Sequence, residues 1–155
     1  MPVSTPGRPR SASTGSPGSR ASGGVAQPPP PAREALDELD QLEADVIAEV
    51  AAIGSTGDEA RRLAGSVRET LGRHRRDRSR LRRELGLVPG LPAAAPEERA
   101  PDLEALRAAQ EALVFATAEA VGRVGGAEGG VLVDQLRAVA AHLAVTELWI
   151  EREQR

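Results

Sequence analysis

The sequence predicts an all-α protein: a four-helix bundle of two antiparallel hairpins joined by a crossover loop, preceded by a disordered arm. Three observations predict it. No segment alternates apolar and polar residues in strand fashion, Ala and Leu dominate the periodic stretches, and Pro keeps out of their interiors. A chain of 155 residues suits one domain plus a tail.

The arm comes first. Residues 1–32 hold eight Pro, six Ser, five Gly and three Arg, with no acid and almost no bulky apolar side chain. Such a segment cannot bury enough surface to offset its ordering entropy, and it ends in the short stiff spacer Pro28-Pro29-Pro30-Pro31. No apolar stretch follows its first arginines, which excludes a secretory signal. The proline run and the missing amphipathic stretch weigh against a transit peptide. A tether or a recruitment segment for a partner fits the composition.

Residues 33–155 form the bundle domain, with all 23 acids and a charge of about −6. A first helix runs from about Arg33 to Ile53 and stops at Gly54, with Leu36, Leu39, Val46, Val50 and Ile53 inward. Thr56-Gly57-Asp58-Glu59 has the form of a capping box opening a second helix, which stops at Gly86. Its inner stripe is Ala60, Leu63, Val67, Leu71, Leu81 and Leu85. Pro101 at a first-turn position, with Asp102 and Glu104, opens a third helix carrying Leu103, Leu106, Leu113, Val121 and Val124 inward. The turn Gly125 to Gly130 leads to a fourth, about Val131 to Glu153, with Leu132, Leu136, Val139, Leu143, Val145, Trp149 and Ile150 as its apolar arc.

Between the hairpins, Gly86 to Ala100 contains Pro89, Pro92 and Pro96. Extended, this segment spans roughly 50 Å, against about 40 Å for the second helix. An up-down-up-down bundle needs only a few residues here, so the connection is expected to return along the bundle, leaving the second and third helices parallel.

Composition narrows the chemistry. With no Cys and no Tyr, disulfides, thiolate metal sites, cysteine nucleophiles and tyrosine acids are excluded. The absence of Lys, with Arg carrying all fixed positive charge, reads as the codon bias of a GC-rich genome. No apolar run approaches the roughly 20 residues of a membrane span, so no membrane partner and a cytoplasmic location are expected.

Each predicted helix sets a polar side chain in its apolar stripe. Glu43 lies between Leu39 and Val46, His74 between Leu71 and Leu81, Gln110 and Thr117 among Leu106, Leu113 and Val121, and His142 between Val139 and Trp149. Glu43 precedes His74 by 31 residues and Gln110 precedes His142 by 32, so the layout is duplicated between hairpins.

On these residues the chain resembles the ferritin-like superfamily. Its bundles place a Glu on helices 1 and 3 and an E-x-x-H pair on helices 2 and 4. The resemblance covers about Arg33 to Glu153. It implies Glu43 as the helix 1 carboxylate and His74 and His142 as the two histidines. The E-x-x-H positions here read Leu71-x-x-His74 and Val139-x-x-His142, and the helix 3 Glu reads Gln110. Three of four bridging carboxylates are absent, which disfavours a di-metal oxidase. Two imidazoles and a carboxylate remain, the ligand set of a mononuclear iron or zinc centre; manganese is a further candidate. The alternative is a metal-free polar cluster, and Asp40 and Asp77 are expected at the surface beside the stripe.

Seven Arg crowd Arg73 to Arg83, and their wheel positions cover most of the circumference except the inner arc. They are expected to form a solvated, salt-bridged helix end; with no aromatic array for base stacking, nucleic acid is a lesser alternative. Phe115 points away from the third helix's stripe, beside Ala108, Ala112 and Ala118, suggesting a homo-oligomer contact through that helix or a seat for the crossover. No phosphate loop or nucleophilic triad is present. The expectation is therefore a non-catalytic binding or structural domain with a relict site. Its alternatives are a mononuclear metal protein or oxidoreductase, and an Arg-mediated binder of nucleic acid or an acidic partner.

Overall fold

The computed structural model describes residues 30–90 and 97–155, and the expectation of a disordered arm falls, for residues 1–29, outside them. Four helices make up the fold: α1 (Pro30–Gly54), α2 (Asp58–Glu84), α3 (Leu103–Val124) and α4 (Gly129–Glu153). No strand occurs among the described residues.

The helix ends follow from local chemistry, sometimes differently from expectation. α1 begins at Pro30, three residues before Arg33, because proline's fixed φ and missing N–H suit a first helical turn; Ala32 is already buried. The capping box does not form. The Thr56 hydroxyl instead donates back to the Ile53 carbonyl at 2.7 Å, closing α1, and α2 opens from Gly57 with no side-chain cap, Asp58 and Glu59 facing its dipole. Leu85 then closes α2, and Gly86 at φ 72° lets its own N–H reach the Arg83 carbonyl and that of Leu87 reach Arg82, a Schellman ending. Pro101 stays outside α3. Asp102 is the cap, accepting from the Glu104 and Ala105 amides at 3.0 and 3.2 Å.

α1 packs against α2 and α3, while α4 packs closely on α3 and only lightly on α2, so α1/α4 and α2/α3 occupy the diagonals. Ile53, Asp58, Leu103 and Trp149 line one groove at one end of the bundle, which brings together the end of α1, the starts of α2 and α3 and the end of α4. α2 and α3 therefore run parallel, and the connection between them returns along the bundle as its length demands. Its described ends follow α1: Gly90 lies against Asp40 and Arg82, and Arg99 donates to Glu49 at 2.6 Å.

Leu36, Leu39, Val46 and Val50 of α1, Val67, Leu71 and Leu81 of α2, Leu106 and Leu113 of α3, and Leu132 and Val139 of α4 form the core. α4 departs most from its expected arc. Val145 is exposed and Leu136, Leu143 and Ile150 are half-buried, because the loose α2 contact leaves that side of the helix open. Its fully buried face instead contains Leu132, Gln135, Val139 and Thr146. Among the described residues no helix is long and apolar enough to cross a membrane.

Candidate functional site

The centre of the bundle is organised by an arginine. Arg78, only 1% exposed, lies on the stripe of α2 one turn beyond His74. Its Nε donates to Asp40 at 2.9 Å, one terminal nitrogen to Glu43 at 2.7 Å and the other to Gln135 at 3.0 Å. One guanidinium thus ties α2 to α1 and α4. A turn further on, buried Arg82 pairs with Asp37 and with the second oxygen of Asp40, both at 2.8 Å. Asp40 is the bridge between the two arginines. Gln135 completes the network by donating its amide to the His74 carbonyl at 3.1 Å. With both oxygens of Asp40 and three guanidinium nitrogens of Arg78 engaged, the network is held by charge-assisted bonds shielded from water except at Asp37, whose side chain is 59% exposed.

Two expectations are corrected here. The arginine cluster does enter the inner arc, at Arg78 and Arg82, because the acids of α1 supply counter-charges inside the bundle. Asp40 is accordingly not a surface carboxylate, whereas Asp77 stays near the surface, 3.5 Å from Arg80.

Glu43 is buried as expected, but one oxygen faces Arg78 and the other has no hydrogen-bond partner among the described residues. Burial raises its pKa above the usual carboxylate value, outweighing the attraction of Arg78. His74 is buried on α2, where burial first, then the charge of Arg78, lowers it to about 4. Half-buried His142 on α4 is lowered by burial, then by Arg73. Both imidazoles are therefore neutral at neutral pH.

Gln110 is buried, with neither amide atom partnered among the described residues. It lines a cavity of about 10 Å³ with His142, Val46 and Leu71, room for about one water-sized guest. Thr117 satisfies itself, donating to the Leu113 carbonyl at 2.6 Å. The structure thus sets His142 and Gln110 on one small cavity that His74 does not line, while Glu43 belongs to the arginine network. Among the described residues no group of three or more His, Asp or Glu side chains is placed to hold a metal ion.

Sequence reading missed Arg78, Arg82 and Gln135. Their positions did carry a signal. Leu71, His74, Arg78, Leu81 and Leu85 follow a three-four spacing, as do Leu132, Gln135, Val139, His142 and Thr146, so Arg78 and Gln135 complete their stripes, while Arg82 lies one turn beyond Arg78.

Beyond the core, an open groove of about 770 Å³ at the end of the bundle holds acids of the two helix starts together with Trp149, whose ring lies 5.5 Å from the Arg152 guanidinium. Arg152 also pairs with Glu59 at 3.1 Å, tying α4 to the start of α2. No His lines this groove, so it offers no imidazole for acid–base work. Compared with known proteins, the chain matches no family model, no curated protein and no solved structure.

Proposed function

We propose that this chain is a non-catalytic, ferritin-like helical-bundle domain with a binding or structural role, whose centre is closed by an arginine network in place of a metal centre. The single observation that carries this reading is the buried Arg78 guanidinium, bound to Glu43, Asp40 and Gln135 at 2.7–3.0 Å. Glu43 is the one family carboxylate that the chain retains, and it already has its cation. A divalent ion about 5 Å from a guanidinium is repelled by roughly 7 kcal/mol at an effective dielectric of about 20, which offsets a large part of what one carboxylate ligand supplies. The duplicated Glu–His and Gln–His spacing and the returning crossover support the kinship.

Metal analysis of untagged protein, with calorimetric titration of iron(II), zinc and manganese, tests the reading. Sub-stoichiometric metal and no saturable heat are expected. Stoichiometric metal that disappears in a His74→Ala, His142→Ala variant would establish the mononuclear centre instead. The reading places the domain in the cytoplasm, and its partner surface includes the outer face of α3. There Phe115 is 71% exposed and uncovered by the described ends of the crossover, which favours self-association through that helix.

A further inference from the structure

The outward face of α2 is left unexplained by the core network. α2 carries ten Arg against five acids in an otherwise acidic domain. Arg78 and Arg82 are consumed inside, while Arg61, Arg73 and Arg80 lean on Asp58, Glu69 and Asp77 of their own helix. Arg62, Arg68, Arg76 and Arg83 are exposed and meet no carboxylate among the described residues. Asp40 and Glu43 of α1 turn inward to Arg82 and Arg78, exposed Asp37 pairs with Arg82, Glu49 is taken by Arg99, and among the described residues no ion pair joins Glu34, Glu38 or Asp45 to these arginines.

We propose that this face binds the phosphate backbone of duplex nucleic acid, independently of base sequence. From Arg62 to Arg83 the helix rises roughly 32 Å, close to one turn of a duplex. Between the arginines the outward arc holds Gly65, Gly72 and Ser79, and a side chain added at Gly65 would meet nothing within 4 Å, so the ridge is low and open to close approach. The arc contains no bulky apolar residue. A protein partner needs a desolvated apolar anchor and a bilayer needs inserted apolar side chains, whereas phosphate contacts need neither. Without an aromatic on this arc, bases are not stacked.

A second feature lies at the same place. Residues 1–29 contain Arg8, Arg10 and Arg20 and no acid, and they join the bundle at Pro30. The 2.8 Å bridge between Asp37 and Arg82 sets that end of α1 beside the C-terminal half of α2, where arginine is densest. Residues 1–29, with their three arginines, are therefore joined covalently to the bundle at the end where the arginines of α2 are densest.

Fluorescence anisotropy with the full chain and a labelled 30-base-pair duplex, across 50–200 mM salt, tests the proposal. Four phosphate contacts predict an affinity loss of roughly 100-fold over that range. The variant Arg62→Gln, Arg68→Gln, Arg76→Gln, Arg83→Gln alters only exposed side chains and should bind at least 10-fold more weakly with a flattened salt dependence. An equal charge change on α3 and α4, Arg107→Gln, Arg123→Gln, Arg137→Gln, Arg152→Gln, should leave binding within twofold. Equal loss in both variants, or no salt-sensitive binding by the unaltered chain, would overturn the proposal. So would binding of polyglutamate or of phosphatidylserine vesicles as tight as that of the duplex.

Discussion

Arg78 holds three partners, of which Glu43 has no other among the described residues, and its replacement should be costly in a diagnostic way. Arg78→Met leaves Glu43 as a buried acid without a cation and Asp40 with Arg82 alone, a loss expected at about 3–5 kcal/mol in urea denaturation. Glu43→Leu combined with Arg78→Met removes both charges of the most buried pair and should cost clearly less than the two single losses together. Additive losses would show that the two side chains do not act on one another. Why this pair was hard to read is instructive. Glu43 was legible because a carboxylate in the middle of an apolar stripe stands out. Arg78 stands on its stripe just as squarely, but arginine is rarely buried and lay among many others. Asp37, Asp40 and Glu43 step along α1 at threes while Arg78 and Arg82 step along α2 at four. Only the antiparallel pairing of the two helices turns those steps into a ladder.

Among the elements, the crossover is tied to that ladder. A Cβ placed on Gly90 would lie 2.8 Å from Asp40 Oδ2 and 2.9 Å from a terminal nitrogen of Arg82. Gly90→Ala should therefore cost about 1–3 kcal/mol, since those atoms are fixed by their own ion pairs. Gly122→Ala is the matched control: its position on α3 is exposed with nothing within 4 Å, and the substitution should gain up to about 1 kcal/mol. Thermal melts of the two variants would move in opposite directions, and a neutral Gly90→Ala would show that the crossover yields freely. The four helices and the returning connection were legible because apolar period and linker length are strong signals. The caps were less so. Thr56 had a choice between the helix before it and the helix after it, and Thr with Glu three residues later fits both until the chain direction at Gly57 is known.

At the scale of the whole molecule, stability is coupled to protons through groups on three helices. His74 titrates at about 4 in the folded state against an ordinary 6.5, because of burial, Arg78 and Arg73, partly offset by Asp77. The unfolded chain thus takes up its proton first. Its contribution is complete above pH 6.5 and is lost as pH falls toward 4, by on the order of 3 kcal/mol at most. His142, also lowered, acts in the same direction. Glu43 opposes them: its pKa is raised on folding, so its contribution is present below 4.5 and lost as pH rises through the folded value. Denaturation midpoints measured from pH 7.5 down to 4 should fall through the histidine window. A His74→Leu, His142→Leu variant should flatten that fall, and Glu43→Gln should steepen it; an unchanged slope in the double variant would assign the dependence elsewhere. Both imidazoles belong to the side of the bundle where α4 touches α2 only lightly. Hydrogen exchange on that side is accordingly expected to follow a shallow opening, in which α4 gives up its few ties to α2 while still clasping α3, rather than global melting. Solvent is then expected to reach the middle of the molecule before the chain comes apart.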